Sequence, residues 1–417
     1  MASVYDLELV GRSIRSVALS GINNTFAEGT QISYAHWVRD AITLMRSGKP
    51  GQVSLFESSV PEPSTMLAET TLRAFRSGPP VSFTSVFMRS HPDIVSHLAA
   101  RYQVRAGNIR CTTGATTAVS LAYGALLSSG DMVLIEQPGF DIFANCARDA
   151  GLEFDFFQRR APRFEVIIND VLEALTPKTR MVVLSNLHNP SGVLVDMEVL
   201  AALAEALDDR NVLLLIDEVY QDYAGIGAAG LDVERYPNVI RIGSMTKTFG
   251  LNALRCGWMF ASGDVMSRLR AHCDRVDFGV SKLAHCVAAE VLANAHEYDT
   301  WRDSIMEASL PVAEVELLGM VDRGLLELEL PLTGCTCFPR VIGVQDSRAL
   351  SRWLIARHGV VVVPGECFGM AGHIRIGVAL NADKLKNGLE RLAAGLQEYG
   401  EHIEAAEGPV GQTTNAK

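Results

Sequence analysis

The chain has no excess of basic charge to offer a polyanion: 37 Lys and Arg stand against 48 Asp and Glu, for a formal net charge of −11. No basic run or basic amphipathic segment breaks that balance, which argues against nucleic acid and against an anionic membrane surface as partners. No C-x-x-C pair occurs among the eight cysteines, which are scattered from Cys111 to Cys367 in mostly apolar contexts. Thiols of this kind suit a reducing compartment and leave no pattern for structural zinc, so no metal is expected. No apolar run is long enough to cross a bilayer, and Met1–Glu8 lacks a basic start followed by an apolar core. These absences predict a soluble cytoplasmic protein. What is present is 417 residues, 48% of them hydrophobic and without an internal repeat, enough for a large core and for two domains.

Short, almost uncharged runs occur at Met132–Ile135, Met181–Leu184 and Val212–Ile216, and an Ala/Leu/Glu-rich helical segment at 200–207 separates the last two. This βαβ alternation predicts an α/β fold with a mostly parallel sheet covered on both faces. Val239–Gly243, apolar apart from Arg241, and Gly257–Phe260 add two strands. Helices are expected at 34–45, 93–102, 264–275, 282–297 and 384–396. Strand-like stretches at 326–330, 335–341 and 360–363 suggest a smaller α/β domain.

Polar and aromatic residues gather where the strands end: Pro138-Gly139-Phe140, Asn189-Pro190-Ser191-Gly192, Asp217-Glu218-Val219-Tyr220 and Ser244-Met245-Thr246-Lys247. Open α/β sheets bind ligands at that edge. Lys247, on a connection between two apolar runs, can be desolvated enough to lose its proton and attack a carbonyl, forming a Schiff base; a solvated loop lysine has the same local sequence. Gly114-Ala115-Thr116 opens a helix with small residues, so that a phosphate could reach free backbone N–H groups, although such turns also serve structure alone. An acid in the place of Asp217 equally caps a following helix. Arg375, inside an apolar strand, needs an anionic partner, because a buried unpaired charge is costly.

In order and in spacing, Gly114-Ala115-Thr116, Asn189-Pro190-Ser191-Gly192, Asp217-Glu218-Val219-Tyr220, Ser244-x-Thr246-Lys247, Arg255 and Arg375 closely resemble class I/II aminotransferases of the pyridoxal phosphate fold type I superfamily, of which aspartate aminotransferase is a member. Asn189 stands 28 positions before Asp217, and Arg255 eight after Lys247. The resemblance implies pyridoxal 5'-phosphate as cofactor, carried by Lys247 as a Schiff base, with the freed lysine later shuttling a proton. Asp217 would face the pyridine nitrogen and keep it protonated. Asn189 and Tyr220 would hydrogen-bond the phenolic oxygen, and Phe140 would stack on the ring. Ser244, Arg255 and the backbone beside Gly114, at Ala115 and Thr116, would hold the phosphate. Arg375 would clamp the substrate carboxylate, with Asn189 and Ser59 nearby. The implied partners are an amino acid and a 2-oxo acid, and the implied assembly is a homodimer.

Two departures from the family pattern stand out. A tyrosine commonly lies just upstream of the segment resembling Ser90-His91-Pro92-Asp93-Ile94, whereas Val81–Phe87 contains none, and Ser58-Ser59-Val60 stands where many members have a glycine. The expected reaction is amino transfer; the alternative is a lyase, decarboxylase or oxidase on the same coenzyme. Arg375 has no evident second arginine to receive a side-chain carboxylate, Arg73 and Arg89 being unplaced, so a neutral or aromatic amino acid is expected, with Phe83, Phe87, Phe140 and Val60 as candidate pocket residues. A regulatory fusion to a DNA-binding domain is disfavoured, since no helix-turn-helix or basic patch is evident. The expected organisation is an N-terminal segment (1–60) packing with the small domain, a large coenzyme-binding domain (61–295), a small domain (296–403) and a flexible tail (404–417).

Overall fold

The computed structural model describes residues 33–47, 51–79, 90–225, 230–277, 279–330 and 332–407. Its centre is a seven-stranded sheet made of β1 (Ile109–Thr112), β2 (Met132–Gln137), β3 (Glu153–Gln158), β4 (Thr179–Ser185), β5 (Leu213–Asp217), β6 (Val239–Ser244) and β7 (Gly257–Ala261). The spatial order is β1-β7-β6-β5-β4-β2-β3, and only β7 runs against the others. Leu214, Leu215 and Ile216 of β5 are fully buried, because helices cover both faces of the sheet. Helices Ala115–Leu126, Ile142–Asp149 and Gly263–Val276 pack on one face, and Met197–Asp208 packs on the other. Each buried aliphatic side chain is worth about 1.5–3 kcal/mol relative to exposure, so truncating Leu215 to alanine removes about 2–5 kcal/mol.

A second core gathers helices Ala295–Asp322, Ser347–His358 and Ala382–Glu407 with a three-stranded antiparallel sheet of Thr336–Cys337, Ile374–Gly377 and Val363–Pro364. The N-terminal part of the described chain joins this region through Val53–Ser54, which pairs in parallel with Val360–Val361, and through Leu55, which belongs to the same core.

Three features differ from the expectations. Strand β3 escapes the hydrophobic reading because it is an edge strand with Glu153, Asp155 and Gln158 exposed and only Phe157 buried. The helix expected at 282–297 is two helices, Lys282–Ala293 and Ala295–Asp322. Asn294 leaves helical geometry between them (φ −118°, ψ 33°), and its side-chain amide donates to the Glu290 carbonyl and carboxylate, a local competition with the helix ladder typical of asparagine. The last helix runs on to Glu407, and 408–417 lie outside the described residues.

Candidate active site

The carboxyl ends of β4, β5 and β6 deliver Asn189, Asp217, Tyr220, Ser244 and Lys247 to one place. With Ala115, Thr116, Phe140, Arg255 and Arg375 they line a cavity of about 140 Å³. Gly114 lies directly beneath Arg255. Its backbone (φ +85°, ψ 171°) is one that side chains avoid, and an added Cβ would sit 2.6 Å from Arg255 Nη2. Gly114 also precedes helix Ala115–Leu126 without any side-chain cap, so the first backbone N–H groups of that helix lack intrahelical partners. The turn is pinned from behind by Gly257, where a Cβ would meet the Gly114 backbone at 2.6 Å. Backbone donors and an exposed guanidinium thus converge on one anion-sized cradle.

Lys247 is partly open to the cavity and enclosed by protein elsewhere. Its Nζ donates to Ser58 Oγ at 2.9 Å and lies 5.7 Å from the centre of the Tyr220 ring. Burial, reinforced by the Arg375 charge, lowers its pKa to about 8. Asp217 accepts from the Val219 backbone N–H at 3.1 Å. Burial raises its pKa to about 7; that N–H and Lys247 oppose the rise, while Glu136 adds to it. Glu136 is itself buried, paired with Arg159 at 2.8 Å and hydrogen-bonded by Ser185, whose Oγ also accepts from the Asn189 backbone N–H at 3.0 Å.

Arg375, fully enclosed, donates through Nη1 to Asn189 Oδ1 (2.9 Å) and through Nη2 to the Tyr34 hydroxyl (2.8 Å) and the Phe56 carbonyl (3.0 Å). Its Nε has no hydrogen-bond partner among the described residues, nor has the buried Tyr220 hydroxyl. These orphaned polar atoms, the cradle at Gly114 and the carboxylate at Asp217 fit pyridoxal phosphate and an amino-acid carboxylate.

Some expectations are displaced. Ser59 lies outside the cavity lining and Ser58 takes its place, because the chain bends at Ser59. Val60 packs against Leu187, Tyr220 and Cys335 instead of lining the cavity. Arg73 pairs with Glu290 and Glu297. Phe83, Phe87, Arg89 and the tyrosine-free stretch lie outside the described residues. The sequence reading missed Tyr34, Ser58 and Tyr223. The Tyr223 hydroxyl accepts from the Val60 N–H and donates to the Lys247 carbonyl, both at 3.1 Å, tying the Ser58 segment to the lysine turn. Its only sequence signal is its place three residues after Tyr220.

The family described as aminotransferase class I and II matches residues 83–392. A capreomycidine synthase of Streptomyces vinaceus is 32% identical over 311 residues, covering 73% of this chain and 78% of that one. An aspartate aminotransferase of Pyrococcus horikoshii is 27% identical over 299 residues, covering 70% and 75%. A solved structure of a PLP-dependent aminotransferase from Streptococcus suis has the same fold, with a TM-score of 0.77 at 23% identity over 87% of this chain and 97% of that one. With the family match spanning most of the chain, the protein belongs to the class I and II aminotransferases, pyridoxal phosphate-dependent transferases of fold type I.

Proposed function

We propose that the protein exchanges an amino group between an L-amino acid with a neutral or aromatic side chain and a 2-oxo acid. The observation that carries this reading is the convergence of Lys247, Asp217, Arg255 and Arg375 on one cavity. Arg255, Ser244 and the N–H groups of Ala115 and Thr116 would hold the phosphate, Asp217 the ring nitrogen, Asn189 and Tyr220 the phenolic oxygen, and Phe140 a ring face. Bound there, pyridoxal phosphate supplies an aldehyde that condenses with amines and a protonated ring that draws electrons from the substrate Cα. Lys247 contributes Nζ as the anchoring amine and, when free, as the base that takes a proton from Cα and returns it; a pKa near 8 suits both directions close to neutral pH. Asp217 stays ionised beside a cationic ring, because the opposite charge offsets the burial that raises its pKa. Arg375 fixes the carboxylate and thereby which Cα bond faces the ring.

The side-chain preference follows from charge. Among the described lining residues the cations are Lys247, Arg255 and Arg375, each with a task, so a side-chain carboxylate would enter without a partner. Tyr34, Phe140 and Ile142 offer apolar surface instead. The same reading assigns residues 61–295 to the coenzyme-binding domain and 296–403 to the small domain that supplies Arg375, in a homodimer that sedimentation would test. A lyase, decarboxylase or oxidase reaction on the same coenzyme is the second reading; one relative is named a synthase and not an aminotransferase.

Mixing the coenzyme-loaded protein with single amino acids and no acceptor separates the two. Amino transfer releases one equivalent of the matching 2-oxo acid and leaves the amino group on the coenzyme. Release of ammonia, carbon dioxide or peroxide with spontaneous return of the starting spectrum overturns amino transfer.

A further inference from the structure

Arg375 does not stand alone at its end of the cavity. Tyr34, the first residue of helix Tyr34–Ser47, lines the same cavity and places its ring 5.0 Å from the Arg375 guanidinium carbon, edge-on to Phe140 at 5.6 Å. The helix start is fastened there: the Tyr34 N–H donates to Asp141 Oδ2 at 3.0 Å, and Trp37 packs edge-on against Phe56 at 5.7 Å. The Tyr34 oxygen accepts from Arg375 Nη2 at 2.8 Å. A phenol has one proton to donate as well, and among the described residues that proton has no acceptor. Next to it on the guanidinium, Nε is buried and unpartnered. Both Nη2 protons are taken, by the Tyr34 oxygen and the Phe56 carbonyl, so the donors left for a carboxylate at this end are the Nε–H and the Tyr34 O–H.

We infer that Tyr34 is a second carboxylate-binding residue, its hydroxyl donating to a substrate carboxylate that also accepts from Nε of Arg375. The inference rests on Arg375 being the carboxylate clamp and adds a specificity consequence. A site with these two donors leaves buried polar groups unsatisfied when the ligand has no carboxylate, so amines without one are rejected more strongly than a lone arginine would achieve. Helix Tyr34–Ser47 then becomes part of the substrate site and not merely packing.

The experiment titrates the coenzyme-loaded protein with propanoate at constant ionic strength, following the coenzyme absorbance, for wild type, Tyr34→Phe and Arg375→Gln. Phenylalanine keeps the ring and its contacts and removes only the hydroxyl. The expected result is about tenfold weaker propanoate binding for Tyr34→Phe, the size of one hydrogen bond to a charged group, and a larger loss for Arg375→Gln. In turnover, KM for the amino acid and the 2-oxo acid should rise together while kcat changes less than about threefold. Wild-type affinity in Tyr34→Phe, with affinity lost in Arg375→Gln, overturns the role of Tyr34 and leaves the clamp standing. No propanoate binding by the wild type, or undiminished binding by Arg375→Gln, overturns the clamp itself.

Discussion

Replacing Gly114 by alanine separates two costs that usually arrive together. The first is conformational: the backbone at φ +85°, ψ 171° lies in a region populated almost only by glycine, and imposing it on alanine costs about 1–3 kcal/mol. The second is steric and local, because the new Cβ would lie 2.6 Å from Arg255 Nη2 and 3.2 Å from Cζ. The guanidinium ends a flexible, exposed side chain and can swing away, so the clash itself adds little to unfolding. Swinging away, however, would remove the charge-assisted donor that Arg255 is proposed to give the phosphate, worth about 1.5–3 kcal/mol, or roughly 10- to 100-fold in coenzyme affinity. The assay is paired: thermal unfolding of the coenzyme-free protein reads the first cost, and a coenzyme titration reads the second. The expected outcome is a Tm lowered by a few degrees together with at least tenfold weaker coenzyme binding. A variant that loses stability but binds coenzyme as tightly as the wild type would refute the placement of Arg255 over the phosphate cradle.

Further outcomes follow from the same geometry. Asp217→Ala should still bind coenzyme yet lose at least about a hundredfold in kcat, since an unprotonated ring is a poor electron sink; near-normal turnover removes Asp217 from the mechanism. Coenzyme capture by the coenzyme-free protein should accelerate as pH rises toward 8 and level off above it, because Lys247, its pKa lowered to about 8, is protonated and unreactive below that value. A rate that keeps climbing toward pH 10 would mark an ordinary solvated lysine. Tyr223→Phe deprives the Val60 N–H and the Lys247 carbonyl of their partner and should lower the unfolding free energy by about 1–3 kcal/mol in urea titrations; an unchanged midpoint would show that the bridge contributes nothing.

Much of this was legible in the sequence, for a physical reason. Strands such as β5 are buried on both faces and therefore read as unbroken apolar runs, and in a parallel sheet their carboxyl ends share one edge. Asn189, Asp217, Ser244 and Lys247 could consequently be placed together from their positions after such runs. Arg241 looked anomalous within β6 and is explained only in three dimensions, where Glu218 takes its Nε at 2.8 Å. What stayed hidden depended on tertiary direction. Nothing in Ser58-Ser59 says which hydroxyl faces Lys247 from 189 positions away. Tyr34 opens an ordinary amphipathic helix, and only packing against Phe140, Phe368 and Asp141 aims its hydroxyl at Arg375.

The central claim is that Lys247 carries the coenzyme, and one measurement addresses it directly. The purified protein is loaded with pyridoxal phosphate, reduced with borohydride, digested and mapped by mass spectrometry. The account predicts a stoichiometric pyridoxyl phosphate label on the peptide containing Ser244-Met245-Thr246-Lys247, and its absence from Lys247→Ala. A label placed instead on Lys178, Lys282, Lys384 or any other lysine, or one that persists undiminished in Lys247→Ala, would contradict it.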